Sequence, residues 1–136
     1  MSYLVSGKCL CGEIKFTGNT EVKRVANCHC KDCQQITGAA FATIIFVKEE
    51  EIEISGSPKV FFHHSDRGSK LEKRFCGNCG SPMFALNHTR PGILGLRAGA
   101  LDQKELVKPV VNVYLDSKIK TTPLNEDLVS FQKMPE

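Results

Sequence analysis

Cysteine is the residue type through which this sequence could do chemistry. It occurs at Cys9, Cys11, Cys28, Cys30, Cys33, Cys76 and Cys79. Thiolate sulfur is both a nucleophile and a metal ligand. The number is odd, so one chain cannot pair every cysteine in disulfides. The cysteines also fall into three tight groups, Cys9-Leu10-Cys11, Cys28-His29-Cys30-Lys31-Asp32-Cys33 and Cys76-Gly77-Asn78-Cys79. Cysteines one or two residues apart reach disulfide geometry only with strain. The same spacing gathers sulfurs around a metal ion. Cys76-Gly77-Asn78-Cys79-Gly80 reads as a zinc knuckle, whose glycines permit a tight turn with backbone N–H groups aimed at sulfur.

A structural zinc takes four protein ligands, and a catalytic zinc takes three and keeps one position free. Spacing favours a closed site of Cys9, Cys11, Cys76 and Cys79, and an open catalytic site of the contiguous trio Cys28, Cys30 and Cys33. That gives two zinc ions per chain. A rival division puts Cys9, Cys11, Cys28 and Cys30 together and leaves Cys33 with the knuckle. His29 lies between two ligands, and in an extended segment its side chain points away from theirs. It is expected beside the site, not as a ligand. Lys31 and Gln34 flank the trio and could meet a substrate carboxylate, although exposed loop residues are the simpler expectation. His63, His64 and His88 read as ordinary surface histidines.

The elements that must position these cysteines read as strands. Residues 8–16 alternate with period two, residues 22–27 lead into the trio, and residues 40–47 form the longest apolar run, a buried central strand. Residues 51–55 and 59–64 flank Gly56-Ser57-Pro58 and predict a hairpin. Residues 71–75, 83–86, 92–97 and 109–115 are further strands, and the chain from Thr121 is loop-like. Cys30 to Thr37 has helix-forming residues before Gly38 and predicts one or two helical turns.

The 136 residues and their ordinary apolar content suit a single domain, 1–136, with no linker or repeat to divide it. Seven thiolates and two zinc ions would bring the formal charge of +3 to neutrality. The densest basic cluster, Lys70 to Arg74, is broken by Leu71 and Glu72 and reads as a solvated strand face, so nucleic acid is not an expected partner. No apolar stretch has the length of a membrane span, and the N-terminus lacks a signal-peptide pattern. With thiols committed to metal, a cytoplasmic location is expected.

Taken together, Gly7-x-Cys9-x-Cys11-Gly12-x-Ile14-x-Phe16, Cys28-His29-Cys30-x-x-Cys33, Thr37-Gly38-Ala39 and Arg74-Phe75-Cys76-x-x-Cys79-Gly80-Ser81-Pro82 resemble the glutathione-dependent formaldehyde-activating enzyme family, which includes centromere protein V-type relatives. The resemblance spans residues 5–116 and takes in every cysteine. It implies a mainly β fold, the β-tent of several small antiparallel sheets with few helical turns. It implies a structural zinc at Cys9, Cys11, Cys76 and Cys79, and a catalytic zinc at Cys28, Cys30 and Cys33. The implied activity is that of a carbon–sulfur lyase, adding glutathione or a similar thiol to formaldehyde or another small aldehyde, or the reverse. Two features depart from the family: Gln34 stands where a basic residue is common, and residues 118–122 lack a Trp. The alternative is a non-catalytic zinc module that binds a protein partner. Methionine sulfoxide reductase chemistry would need a cysteine free of metal, and exchange-factor action would need only the closed site.

Overall fold

The computed structural model describes residues 1–135. Among these described residues, eleven strands form two sheets. The smaller sheet holds β1 (Ser2–Lys8), β2 (Lys15–Glu21) and β5 (Ile52–Ser55), in the order β1-β2-β5 and fully antiparallel. The larger adds β3 (Arg24–Cys28), β4 (Ala42–Lys48), β6 (Lys59–His64), β7 (Lys70–Phe75), β8 (Pro82–Asn87), β9 (Ile93–Arg97), β10 (Val111–Val113) and β11 (Val129–Ser130), in the order β11-β10-β3-β4-β9-β8-β7-β6. Its strands are antiparallel except that β10 runs parallel to both β3 and β11. One short helix, α1 (Lys31–Thr37), follows β3. The protein is mainly β, as expected. Among the described residues, no helix is long and apolar enough to cross a membrane.

Strand β4 shows why residues 40–47 read as one apolar run. Ile45 and Val47 enter the core shared with Val5, Ile14 and Phe16 of the small sheet and its turn. Ile44 enters a second cluster on the opposite face, with Ala26, Val111, Val113, Cys28 and Cys33. A strand buried on both faces loses its alternation. Phe16 meets Phe84 edge-on at 5.7 Å, joining the two sheets. Each such fully buried side chain contributes about 1.5–3 kcal/mol.

Several expectations need correction. Residues 8–16 are not one strand: Lys8 ends β1, Lys15 starts β2, and Cys9 to Ile14 form the loop between them. The apparent alternation there is a cysteine turn. Gly12 takes a φ of 83°, and its N–H donates to the Cys9 carbonyl. Residues 51–55 and 59–64 do not form a hairpin, because β5 pairs with β2 and β6 pairs with β7. The segment Gly56-Ser57-Pro58 passes the chain from one sheet to the other. Gly56 has a φ of 91°, and a Cβ there would lie 2.3 Å from the Glu13 carbonyl oxygen. Ile52 and Ile54 gain a buried face against the small sheet's core, which β6, exposed along most of its length, does not offer. The strand read over 109–115 shortens to Val111–Val113, and the loop-like tail contributes the short β11.

Candidate metal centres

The first cluster forms where two turns meet. The loop between β1 and β2 supplies Cys9 and Cys11, and the loop between β7 and β8 supplies Cys76 and Cys79. Their four sulfurs lie within 4.8 Å of one another. Cys9 Sγ is 3.6 Å from Cys11 Sγ, which is 3.7 Å from Cys76 Sγ. A tetrahedral ion with Zn–S bonds of about 2.3 Å spaces its sulfurs by about 3.8 Å, so the donor set fits such an ion. Backbone donors point at the sulfurs: the Ile14 N–H donates to Cys9 Sγ at 3.2 Å, and the Asn78 and Cys79 N–H groups donate to Cys76 Sγ at 3.4 and 3.5 Å. Ser81 Oγ lies 3.2 Å from Cys79 Sγ and also accepts from the Leu10 N–H at 3.1 Å. The Ser81 hydroxyl helps to hold the Cys79 thiol down at about 5. Four protein sulfurs would complete the tetrahedron of such an ion and leave it no free position.

The second cluster is local. Cys28 ends β3, Cys30 caps α1, and Cys33 lies in its first turn. Their sulfurs also lie within 4.8 Å of one another, and no histidine or carboxylate joins them among the described residues. The Cys33 N–H donates to Cys30 Sγ at 3.2 Å, which caps the helix and holds a sulfur with the same bond. Hydrogen bonds from Cys28 and then from Cys30 draw the Cys33 thiol down to about 3, and Arg97 and Lys73 add to this. The fold therefore gathers the cysteines as four and three, and it does not assemble the rival division.

The trio opens onto a cleft of about 1230 Å³, and none of the four cysteines of the closed centre lines it. Its floor is apolar, from Ala26, Ile44, Val111 and Val113. Its walls carry Lys23, Arg24, Arg67, Lys73 and Arg90. Tyr114 stands at one side with a φ of 58°, donating its hydroxyl to Asp66 Oδ1 at 2.9 Å. A tyrosine in the left-handed region is uncommon and costs strain.

The flanking residues sort differently. His29 is buried away from the cleft and stacks on Phe41 with centroids 4.9 Å apart. Gln34 is a brace: its amide donates to the His29 and Ser117 carbonyls at 2.9 and 3.0 Å. Lys31 lies on the cleft wall and is exposed. His63 is not an ordinary surface residue. Its Nδ1 lies 3.7 Å from Asp32, its Nε2 is buried, and burial lowers its pKa. The cluster Lys70 to Arg74 is likewise not a solvated face. Glu72 is buried and pairs with Arg74 and with His88 at 2.9 Å, while Leu71 and Lys73 face the cleft. Sequence reasoning misses Lys73, Arg97 and Tyr114, because only the sheet order brings β7, β9 and β10 to one face with the trio.

The fold and site define a small mainly-β protein with a four-cysteine and a three-cysteine cluster that could each hold a metal ion, the smaller one at a basic cleft. The family model described as glutathione-dependent formaldehyde-activating enzyme matches residues 4–117, and the chain belongs to that family. The fold is similar to that of a Rhodobacter sphaeroides protein known from a crystal structure, at 17% identity and a TM-score of 0.55, covering 76% of this chain and 96% of that one. No curated protein matches the chain.

Proposed function

We propose that the chain is a two-zinc enzyme of carbon–sulfur chemistry, a lyase-type catalyst that joins glutathione or a similar thiol to formaldehyde or another small aldehyde, or runs the reverse. Cys9, Cys11, Cys76 and Cys79 hold the structural ion in this reading, and Cys28, Cys30 and Cys33 hold the catalytic one. The observation that carries it is the contrast in access, since three sulfurs line a cleft and four do not. Zinc held by three thiolates supplies Lewis acidity and lowers the pKa of a thiol in its remaining position.

The chain's own residues do the rest. The Cys33 N–H donates to Cys30 Sγ and would support that sulfur as a ligand. The floor of Ile44, Val111 and Val113 gives the sulfurs an apolar neighbour on one side of the cleft. Lys23, Arg24 and Arg67 on the walls receive the carboxylates of a glutathione-like thiol. The substrates are then a small-molecule thiol and an aldehyde, without nucleic acid or membrane, and the reducing cytoplasm suits the thiolates.

The test is metal analysis with sulfur-sensitive X-ray absorption, with and without glutathione, alongside turnover of glutathione and formaldehyde. Two zinc ions per chain, with an added sulfur neighbour when glutathione is present, are expected. One zinc and an unchanged spectrum would leave a non-catalytic module.

A further inference from the structure

Arg97 is the last residue of β9 and lies directly across from Ile44 of β4, which in turn faces Ala26 of β3. Directly opposed residues on antiparallel strands share a face. Arg97 is therefore on the face that carries Ile44, Ala26 and the trio. It is only 5% exposed, and its Nε, Nη1 and Nη2 have no hydrogen-bond partner among the described residues. No carboxylate pairs with it there. A guanidinium buried without a partner is strongly unfavourable unless negative charge lies close by. Lys73, opposite Ala85 on the same face, is half-buried in the wall of the cleft that the three cysteines also line.

The charge balance is uneven. Three thiolates and one divalent ion carry a net charge of −1, and Arg97 and Lys73 together carry +2. Asp32, also on the cleft wall, is half-exposed and faces His63 Nδ1 at 3.7 Å. One positive charge is left over, and an anion in the open position would cancel it. The closed cluster has no such arrangement. Its sulfurs are met by the N–H groups of Ile14, Asn78 and Cys79 and by the Ser81 hydroxyl.

We infer that Arg97 and Lys73 form a cationic backing to the three-cysteine centre that makes its open position select an anionic ligand over a neutral one. The inference rests on the reading that the trio holds a metal. It assigns both residues as positioning residues, acting on what enters and not on the reacting atoms. A thiol would be retained as its thiolate, and neutral donors of similar size would be discriminated against.

The test uses full-length protein loaded with cobalt in place of zinc, titrated with thiocyanate as the anionic probe and imidazole as the neutral one, and read by the visible absorption of the metal. Wild type should bind thiocyanate more tightly than imidazole. Arg97→Met and Lys73→Met should each weaken thiocyanate by about tenfold, since a unit charge is lost in a shielded site, and should leave imidazole unchanged. Arg97→Lys should restore most of the preference, and it keeps the test valid if Arg97→Met does not fold. Equal losses for both probes, or an unchanged ratio, would overturn the inference while two bound metals leave the proposed function standing. Uptake of a single metal would overturn both.

Discussion

The two cysteine clusters use the same ligand atom and differ in what they connect. The closed cluster joins the β1–β2 turn to the β7–β8 turn, and Cys11 and Cys76 are 65 residues apart. The open cluster draws its three sulfurs from the end of one strand and the first turn of the next helix. Bringing distant segments together carries a loop-closure cost that a local cluster avoids, and a metal that meets this cost becomes part of the fold. The closed centre is dressed with N–H and hydroxyl donors, and the open one with cations and space. On the proposed function, one arrangement holds the chain together and the other does the chemistry.

Removing a ligand from each cluster should separate these roles. Cys79→Ala is expected to have the largest effect. Zinc binding is worth about 10–16 kcal/mol in zinc-finger peptides, and the total stability of a chain this long is roughly 7–20 kcal/mol. The variant should be insoluble or unfolded by circular dichroism. A soluble Cys79→Ala protein with an unchanged melting temperature would remove the distinction between the clusters.

Cys33→Ser comes next. The main core around Phe16, Ile45 and Phe84 contains none of the trio, so the variant should remain folded. Placing a hydroxyl in this buried position should lower stability by about 1–3 kcal/mol, while one of two metal equivalents and the catalytic activity are lost. Metal content and thermal melting on one sample check both halves. A variant that keeps both metals would show that the open centre does not need this sulfur.

The division of the cysteines is legible in the sequence because metal ligation is a local demand, written in spacings of one and two residues. The strands that place buried apolar side chains are legible for a similar reason, as with residues 40–47 and β4. Partner choice is not. Residues 51–55 alternate cleanly, yet nothing in them says that their buried face belongs to β2 and not to β6. Register and sheet order arise from long-range packing, and the same applies to the site. Arg97 closes an apolar run and Lys73 sits in a charged one. Neither stands near a cysteine of the trio until β9, β8 and β7 line up beside β4. Gln34 illustrates the converse. Its position beside Cys33 suggests a substrate contact, but its amide is spent on two backbone carbonyls.

The smallest expected effect sharpens the comparison most, because it disturbs one centre without deleting a ligand. Ser81 binds both halves of the closed cluster, accepting from the Leu10 N–H and lying against Cys79 Sγ. Ser81→Ala should cost about 1 kcal/mol through the lost backbone bond and weaken the closed centre's hold on zinc by about tenfold, as loss of a hydrogen bond to a ligand does elsewhere. The sign of the pH effect follows from Cys79, whose thiol is held down at about 5. A depressed thiol favours the folded state above its ordinary range, and that contribution is lost as the pH falls through 5. Without the hydroxyl the folded-state value rises, so protons displace the metal at a higher pH. A zinc-release titration with a chromogenic chelator should therefore show the closed-centre step moving to higher pH, with the trio's step unmoved. If both steps shift together, the centres are coupled through the fold, and the separation between holding and catalysing would have to be abandoned.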